Sequence, residues 1–439
     1  MHIIEKSESG PVLLLFFPLR DMFSVWIMNK RSIIMERENR TAADRPAPDI
    51  LVRRRGRVTA EKNHFRRISM INRKRLEALA GELKKLGLDA IYLGPSTDLE
   101  YISGLDTHPD ERVRGLMVSK DGRCFSMTPL LYKEEMVNAF GDVPFYAEWN
   151  DHEGFTGAFR RGCEHLGIVG GKIAFNDGVR AVDMLAVRDA MDLRMCNGAG
   201  VLDPLRSRKD EDELAVMREA SRIVDAVVGK LLRFIRPGMT ERQIAKKIPE
   251  FFEEAGSNEI SFAPIVASGP NGSMPHYGGD QRVIEPNDVI ILDLGGRYKS
   301  YCSDTTRTFF TGTPTEEQKK VYEIVRKAQA AGEAAVKPGA TGQDVDRAAR
   351  KVIIDAGYGE FFFNRVGHGI GLAVHESPYM IEGNDRPLEP GNVFSVEPGI
   401  YLPGKFGVRI ENIVAVRADG TGEALNHFPR DLDSVCIRG

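Results

Sequence analysis

The sequence predicts an α/β (α+β) protein of two folded domains, the second of them a duplicated unit with a pseudo-two-fold repeat. Three observations predict it. The chain has 439 residues and 42% hydrophobic content, enough for more than one core. A helix-then-strand pattern begins at Met70, and the C-terminal half contains an internal repeat.

Residues 1–69 differ from the rest. The apolar run "PVLLLFFPLRDMFSVWIM" is broken by Pro18, Arg20 and Asp21 and preceded by Glu5 and Glu8. It is too short for a membrane span, its flank is acidic, and no small-residue cleavage site follows, so neither a signal peptide nor a membrane partner is expected. The following "MERENRTAADRPAPDILVRRRGRVTAEKNHFRR" lacks periodicity, which predicts disorder, or an extension ahead of a natural start at Met70. Arg53, Arg54, Arg55 and Arg57 read as a solvated tail rather than a nucleic-acid contact.

From Met70, "INRKRLEALAGELKKLGLDAIYLG" places Leu76, Leu79, Leu83 and Leu86 on one helical face, stops the helix at Gly87 and continues as a strand. Residues 70–205 form the first domain. A boundary is expected near 205, where Pro204 and a charged run precede a long helix. Residues 206–439 form the second domain. There "IRPGMTERQIAKKIPEFFEEAG" aligns without a gap on "VKPGATGQDVDRAARKVIIDAG", Pro237 on Pro338 and Gly256 on Gly357. Further on, "IEPNDVIILDLG" aligns on "LEPGNVFSVEPG", and Asp293 falls on Glu397.

Each repeat ends in a predicted hairpin carrying two acids. "DVIILDLGGRYKSYCSDTTRTFF" is expected to turn around Gly295 and Gly296, and "NVFSVEPGIYLPGKFGVRIENIVAV" around Pro403 and Gly404. Asp293 should then sit nearly opposite Asp304, and Glu397 opposite Glu411. Opposed acids in apolar strands repel unless a cation lies between them. Two repeats facing each other would bring four carboxylates to one point, a charge that suits two divalent ions. His368 in "RVGHGIGLAVHE" supplies a fifth ligand, with Gly367, Gly369 and Gly371 allowing close backbone approach. Oxygen-rich ligation with one imidazole favours Mn2+, ahead of Co2+, Fe2+ or Zn2+.

Net charge is -3, from 60 basic and 63 acidic side chains, so no global field draws the chain to nucleic acid. Cys124, Cys163, Cys196, Cys302 and Cys436 are scattered, odd in number and without a CxxC pair, which points to a reducing, cytoplasmic setting. Cys302 shares a strand face with Asp304 and is read as a core thiol rather than a site residue.

The motifs "DLGG", "SDTTRT", "GHGIGLAVHE", "SVEPGIY" and "GVRIEN" resemble the ligand motifs of the pita-bread metallopeptidases. These include methionine aminopeptidase, Xaa-Pro aminopeptidase, Xaa-Pro dipeptidase (prolidase) and creatinase. The resemblance spans residues 70–439 and looks strongest to the bacterial Xaa-Pro dipeptidases. It implies a creatinase-like N-terminal domain followed by a pita-bread catalytic domain. By motif, Asp293 matches a bidentate ligand of one metal, Asp304 and Glu411 match bridging carboxylates, and His368 and Glu397 match ligands of the second. It further implies that Glu397 shuttles the proton, that His276 and His375 contact substrate and intermediate, and that Arg409 holds the substrate's terminal carboxylate. Proline-containing dipeptides or short peptides are the implied substrates, and a homodimer the implied assembly. Xaa-Pro aminopeptidase on longer peptides is the alternative. Creatinase works without metal, and non-catalytic pita-bread binding modules generally lack the ligand set, so both fit the sequence poorly.

Overall fold

The helix after Met70 forms as its sequence dictates. In the computed structural model, which describes residues 13–19, 22–29, 32–34, 71–257 and 259–437, the helix Arg73–Lys85 is capped by the Asn72 side chain, which accepts from the Arg75 N–H at 3.1 Å. Leu76, Leu79 and Leu83 are buried, but Leu86 is 51% exposed. The helix has ended by then: Gly87, at φ 64°, takes the left-handed position that stops it.

Six strands follow in the spatial order Phe145–Trp149, Cys124–Pro129, Gly115–Ser119, Ala90–Leu93, Lys172–Phe175, Arg194–Asn197. The three central strands are buried along their whole length, the signature of a sheet covered on both faces. One face, with Ala90, Tyr92, Met117, Phe125 and Met127, packs on the helix Thr156–Leu166 and its neighbours. The other face, with Ile91, Leu93, Leu116 and Val118, shares one cluster with Ile370, Leu372, Val393 and Ile413 of the second half. Arg66–Gly439 is accordingly one compact unit, and the boundary expected near residue 205 is a change of sheet rather than a gap in packing.

The duplication is visible in the helices. Glu241–Ala255 and Gly342–Asp355 each begin at a threonine capping box, Thr240 with Gln243 and Thr341 with Asp344. Each is followed by a left-handed glycine, Gly256 at φ 98° and Gly357 at φ 84°. Even the isolated bridges correspond, Thr240 to Val283 and Thr341 to Pro387. The strands Ile265–Ser268, Val289–Leu294 and Thr305–Phe310 form one antiparallel sheet; Gly367–Gly369, Val393–Val396 and Asn412–Val416 repeat that order inside a five-stranded one. The main core lies between these sheets and the four long helices.

The first hairpin turns elsewhere than expected. Its strands continue through Gly296–Tyr298 and Tyr301–Cys302, and the tip is Lys299 and Ser300, at φ 47° and 72°. Two positive φ values in a two-residue loop match the twist of the flanking strands. Gly295 and Gly296 are there for close approach: a Cβ on Gly295 would lie 2.0 Å from the Ser303 carbonyl oxygen, and one on Gly296 would lie 2.6 Å from the Phe252 ring. The shifted turn pairs Asp293 with Thr306, not with Asp304. Asp304 is therefore a diagonal neighbour on the same face. The second hairpin turns where expected, with Gly404 at φ 71°, and its pairing of Val396 with Asn412 carries Glu397 opposite Glu411.

Of residues 1–69, expected to lack regular structure, Leu13–Leu19, Met22–Asn29 and Ser32–Ile34 form a three-stranded antiparallel sheet. The expectation for residues 35–69, including the arginine cluster, lies outside the described residues. No helix among the described residues is long and apolar enough to cross a membrane.

Phe125 is fully buried and meets the Phe159 ring edge-on at 5.8 Å. Phe125→Ala should cost about 3–5 kcal/mol, seen as a lowered urea midpoint; an unchanged midpoint would mean that this face of the sheet collapses around the cavity.

Candidate metal centre

The five residues singled out as ligands stand at strand ends. Asp293 lies near the end of Val289–Leu294, Asp304 just before Thr305–Phe310, His368 within Gly367–Gly369, Glu397 just after Val393–Val396, and Glu411 just before Asn412–Val416. A Cβ on Gly367 would lie 1.9 Å from the Ser395 carbonyl oxygen, and one on Gly369 would lie 2.3 Å from that of Ser377. Only glycine on both sides lets His368 enter the sheet.

The His368 ring is oriented from behind. Its Nδ1 lies 3.1 Å from the Gly369 carbonyl oxygen, which can only accept, so Nδ1 carries a proton and Nε2 faces the centre, where it donates to Glu397 while protonated and offers its lone pair to a metal once that proton leaves. Nε2 is 3.2 Å from Glu397 Oε1 and 3.7 Å from Asp304 Oδ2. Ligand atoms of Asp304, His368 and Glu411 all lie within 4.8 Å of one another. Ser395 donates to Glu397 Oε1 at 2.9 Å and accepts from the His368 backbone N–H at 3.0 Å.

Asp293 Oδ1, Asp304 Oδ1 and Glu411 Oε1 are buried without a hydrogen-bond partner. Burial pushes the Asp304 carboxyl well above the usual carboxylate range, and Glu411, Asp293 and Glu397 push it further. Burial, then Glu397 and Asp293, do the same to Glu411. Burial also raises Asp293, against the opposing charge of Arg409. Burial pushes Glu397 up as well, but its hydrogen bond to His368 and the charges of His368 and Arg409 bring it below its ordinary value. Asp304, His368 and Glu411 lie together, Asp304 and Glu411 each with an unpartnered oxygen, and a divalent cation satisfies this donor set where no hydrogen-bond donor among the described residues does; Asp293 and Glu397 stand outside that group of three.

Arg409 departs from the role implied for it. It lies on the same face as Glu411, but its guanidinium is buried, at 3% exposure, and already engaged. It donates to Asp293 Oδ2 at 2.6 Å, Thr306 Oγ1 at 3.0 Å, the Tyr401 hydroxyl at 3.1 Å and the Pro275 carbonyl at 3.2 Å. A guanidinium so committed orients Asp293 and is not open to a carboxylate arriving from solvent. The partly buried Arg365 has its guanidinium 4.8 Å from the centre of the Tyr379 ring, and no acid among the described residues pairs with it. His375 is exposed and meets the His368 ring edge-on at 4.2 Å. Partial burial, His368 and Arg365 lower its imidazole to about 4, so it is neutral at pH 7. His276 is exposed on the loop after the short turn Gly269–Ser273, near enough to His375 to act on its charge. Cys302 is buried, and its thiol donates to the Leu372 carbonyl at 3.4 Å, a core thiol.

Sequence reasoning missed Thr306. Its hydroxyl donates to Glu411 Oε2 at 2.7 Å while accepting from Arg409, and its carbonyl accepts the Glu411 N–H at 3.1 Å. One residue of the first repeat thus fixes two of the second. The signal was present in "SDTTRT", where Thr306 is two residues from Asp304 and shares its strand face.

Two family models match the chain: the creatinase/prolidase N-terminal domain over residues 75–208 and metallopeptidase family M24 over residues 215–418. A probable dipeptidase PepE of Mycobacterium tuberculosis is 36% identical over 370 residues, 83% of this chain and 96% of that protein. An Xaa-Pro dipeptidase of Lactobacillus delbrueckii subsp. lactis is 35% identical over 83% of this chain and 99% of its own. Among solved structures, a dipeptidase from Pyrococcus horikoshii OT3 is 40% identical with a TM-score of 0.77, covering 82% of this chain and 99% of its own. A prolidase from Thermococcus sibiricus is 37% identical with a TM-score of 0.79, covering 83% and 99%.

Added Mn2+ should raise the melting temperature of chelator-treated protein, and Glu411→Gln should abolish most of that rise. The metal-free variant should melt no lower than the metal-free parent, because one repelling charge has gone. A clear loss of metal-free stability would instead make Glu411 a packing residue.

Proposed function

We propose a function from one premise: the chain belongs to metallopeptidase family M24, with a creatinase/prolidase N-terminal domain ahead of its catalytic half. The reaction is hydrolysis of the peptide bond before proline in Xaa-Pro dipeptides, assisted by two divalent ions. The observation that carries this reading is the cluster of Asp304, His368 and Glu411, in which both acids have a partnerless oxygen, as has the neighbouring Asp293. Asp293, Asp304 and Glu411 would hold one ion; Asp304 and Glu411 would be shared with the second, completed by His368 and Glu397. Manganese is the expected metal because four of the five donors are carboxylates. Bound there, the ions would supply a nucleophile from water at neutral pH and polarise the scissile carbonyl.

The remaining chemistry falls to side chains. Glu397 and Asp293 keep 16% and 13% of their side-chain surface exposed, against 6% for Asp304 and 3% for His368. Glu397 and Asp293 are therefore the two ligands nearest the opening through which substrate would enter. Glu397 takes the proton released by water and returns it to the imino nitrogen that leaves. His375, neutral and adjoining the centre, donates an N–H to the oxygen on which charge develops. His276 lies on the same side and contacts substrate. A dipeptide also carries a free carboxylate close to the reacting bond. Arg365, unpaired and close enough to lower the His375 imidazole, is the cation placed to receive it.

The Xaa-Pro dipeptidase from Lactobacillus and the Thermococcus prolidase support the dipeptide reading by name. Five free cysteines agree with a cytoplasmic setting, and a homodimer is part of the same expectation.

The deciding assay compares Xaa-Pro with Xaa-Pro-Xaa substrates in the presence of Mn2+. Cleavage of the dipeptide with loss of activity on chelation is expected, and turnover of tripeptides alone would replace this reading with an aminopeptidase. Arg365→Ala should raise KM for the dipeptide about tenfold or more, as for a lost charge-assisted hydrogen bond, and leave kcat within a few-fold. An unchanged KM would remove Arg365 from the substrate site.

A further inference from the structure

Outside the metal centre the described residues contain a second buried charge cluster, which the proposed chemistry does not use. Glu376 has 7% of its side chain exposed. Its Oε1 accepts from Lys209 Nζ at 2.6 Å and its Oε2 from Arg206 at 2.5 Å. Lys209 is 2% exposed and Arg206 12%. Arg206 also donates to Asp98 Oδ1 at 2.8 Å, and Asn176 donates to Asp98 Oδ2 at 3.2 Å. Two acids and two bases balance, so the cluster is neutral as a whole. It runs from the six-stranded sheet, where Asn176 also accepts the Gly94 N–H at 2.9 Å, through the connecting segment 206–209, to the strand Glu376–Met380.

That strand begins one residue after His375. His375 lies in the bend that leads into the strand, so anchoring Glu376 toward Lys209 and Arg206 fixes the backbone from which His375 reaches the His368 ring, 4.2 Å between ring centres. The anchor is reinforced on both sides. Ser377 donates to Asp203 at 2.6 Å, and Glu376 pairs in the sheet with Gly369, next to His368. Gly371 makes room for it: a Cβ there would lie 2.6 Å from Glu376 Oε1 and 2.9 Å from Lys209 Cε. Buried charges of this kind are poor sources of net stability and are better suited to fixing one arrangement.

We propose that Glu376, clamped by Lys209 and Arg206, is a positioning residue that holds the His375 imidazole at the metal centre and makes its placement depend on the N-terminal domain through Asp98. His375 and not the metal is what the clamp serves, because none of the five ligands belongs to the cluster. The inference deepens the peptidase reading and rests on it for its kinetic test.

The experiment is a double-mutant cycle in the full-length chain, with Glu376→Gln, His375→Asn and both together, read as kcat on an Xaa-Pro substrate. Manganese content and melting temperature are measured alongside. Glu376→Gln should lower kcat about tenfold to a hundredfold, the range for residues that orient a site from behind, with metal content unchanged. In the double variant Glu376→Gln should add almost nothing, because the residue it acts through is gone. Asp98→Asn, which cuts only the far end of the cluster, should give a smaller loss of the same kind. Losses that multiply, or that follow manganese content, would overturn the proposal. Should the parent chain cleave no Xaa-Pro bond, the peptidase reading falls, and the clamp is tested without turnover. In the zinc-loaded chain, the nitrogen-15 signals of the His375 ring, identified by their absence in His375→Asn, should shift or double in Glu376→Gln. Signals identical to the parent's would overturn it.

Discussion

Four carboxylates that share one buried point are the constraint around which the catalytic half is arranged. Two unit charges about 4 Å apart repel by roughly 4 kcal/mol even at an effective dielectric of 20, and Asp293, Asp304, Glu397 and Glu411 act on one another as neighbours. Without a cation the fold bears this strain through counter-donors: Arg409 on Asp293, Thr306 on Glu411, Ser395 and His368 on Glu397. Asp304 has the fewest, and burial together with three surrounding acids drives its carboxyl toward the neutral form. The same donors leave one oxygen each of Asp293, Asp304 and Glu411 unpartnered. Partial neutralisation keeps the site folded, and the remainder gives a metal something to bind.

The duplication explains how such a site is assembled. Each repeat alone has one pair of acids on a sheet whose face needs covering. When the two face each other, the strand Thr305–Phe310 meets the segment around Arg409 and Glu411, and Thr306 and Thr308 stitch them together. Thr308 donates to the Arg409 carbonyl at 2.9 Å and accepts its N–H at 3.1 Å. Arg307, between them, points to the other side, fully buried, and donates to Asn412 Oδ1 at 2.8 Å and the Phe428 carbonyl at 2.9 Å. Within "TTRT", Thr306 and Thr308 therefore serve the metal side, while Thr305 and Arg307, which bond to each other, share the opposite face.

Much of this was legible in the sequence because duplication and alternation leave linear traces. The pairing of Glu397 with Glu411 follows from a turn centred on Gly404, and the register agrees. Asp293 and Asp304 were misplaced by one diagonal because Gly295 and Gly296 look like a turn, whereas the chain turns at Lys299 and Ser300, residues with no sequence advertisement for positive φ. Arg409 was placed on the right strand face, but strand parity cannot reveal that Asp293 already occupies its guanidinium. The Glu376 cluster was invisible, since Asp98, Arg206, Lys209 and Glu376 come from separate segments and none follows a periodic pattern.

His368 breaks the symmetry, and the register says how. Gly369 pairs with Phe394 as Ser268 pairs with Ile290, which makes Ala267 the counterpart of His368 in the first repeat. Ala267 is buried at 1% exposure, against Ile291 and Tyr401. One repeat therefore offers a metal only carboxylates, while the other adds an imidazole and, seven residues on, His375. Two ions held between them cannot be equivalent. The half with His368 also has His375 and the Glu376 ion cluster that reaches the N-terminal sheet, whereas the half with Asp293 is closed from behind by Arg409, Tyr401 and Pro275. Duplication supplied the four acids, and departure from it supplied the imidazole.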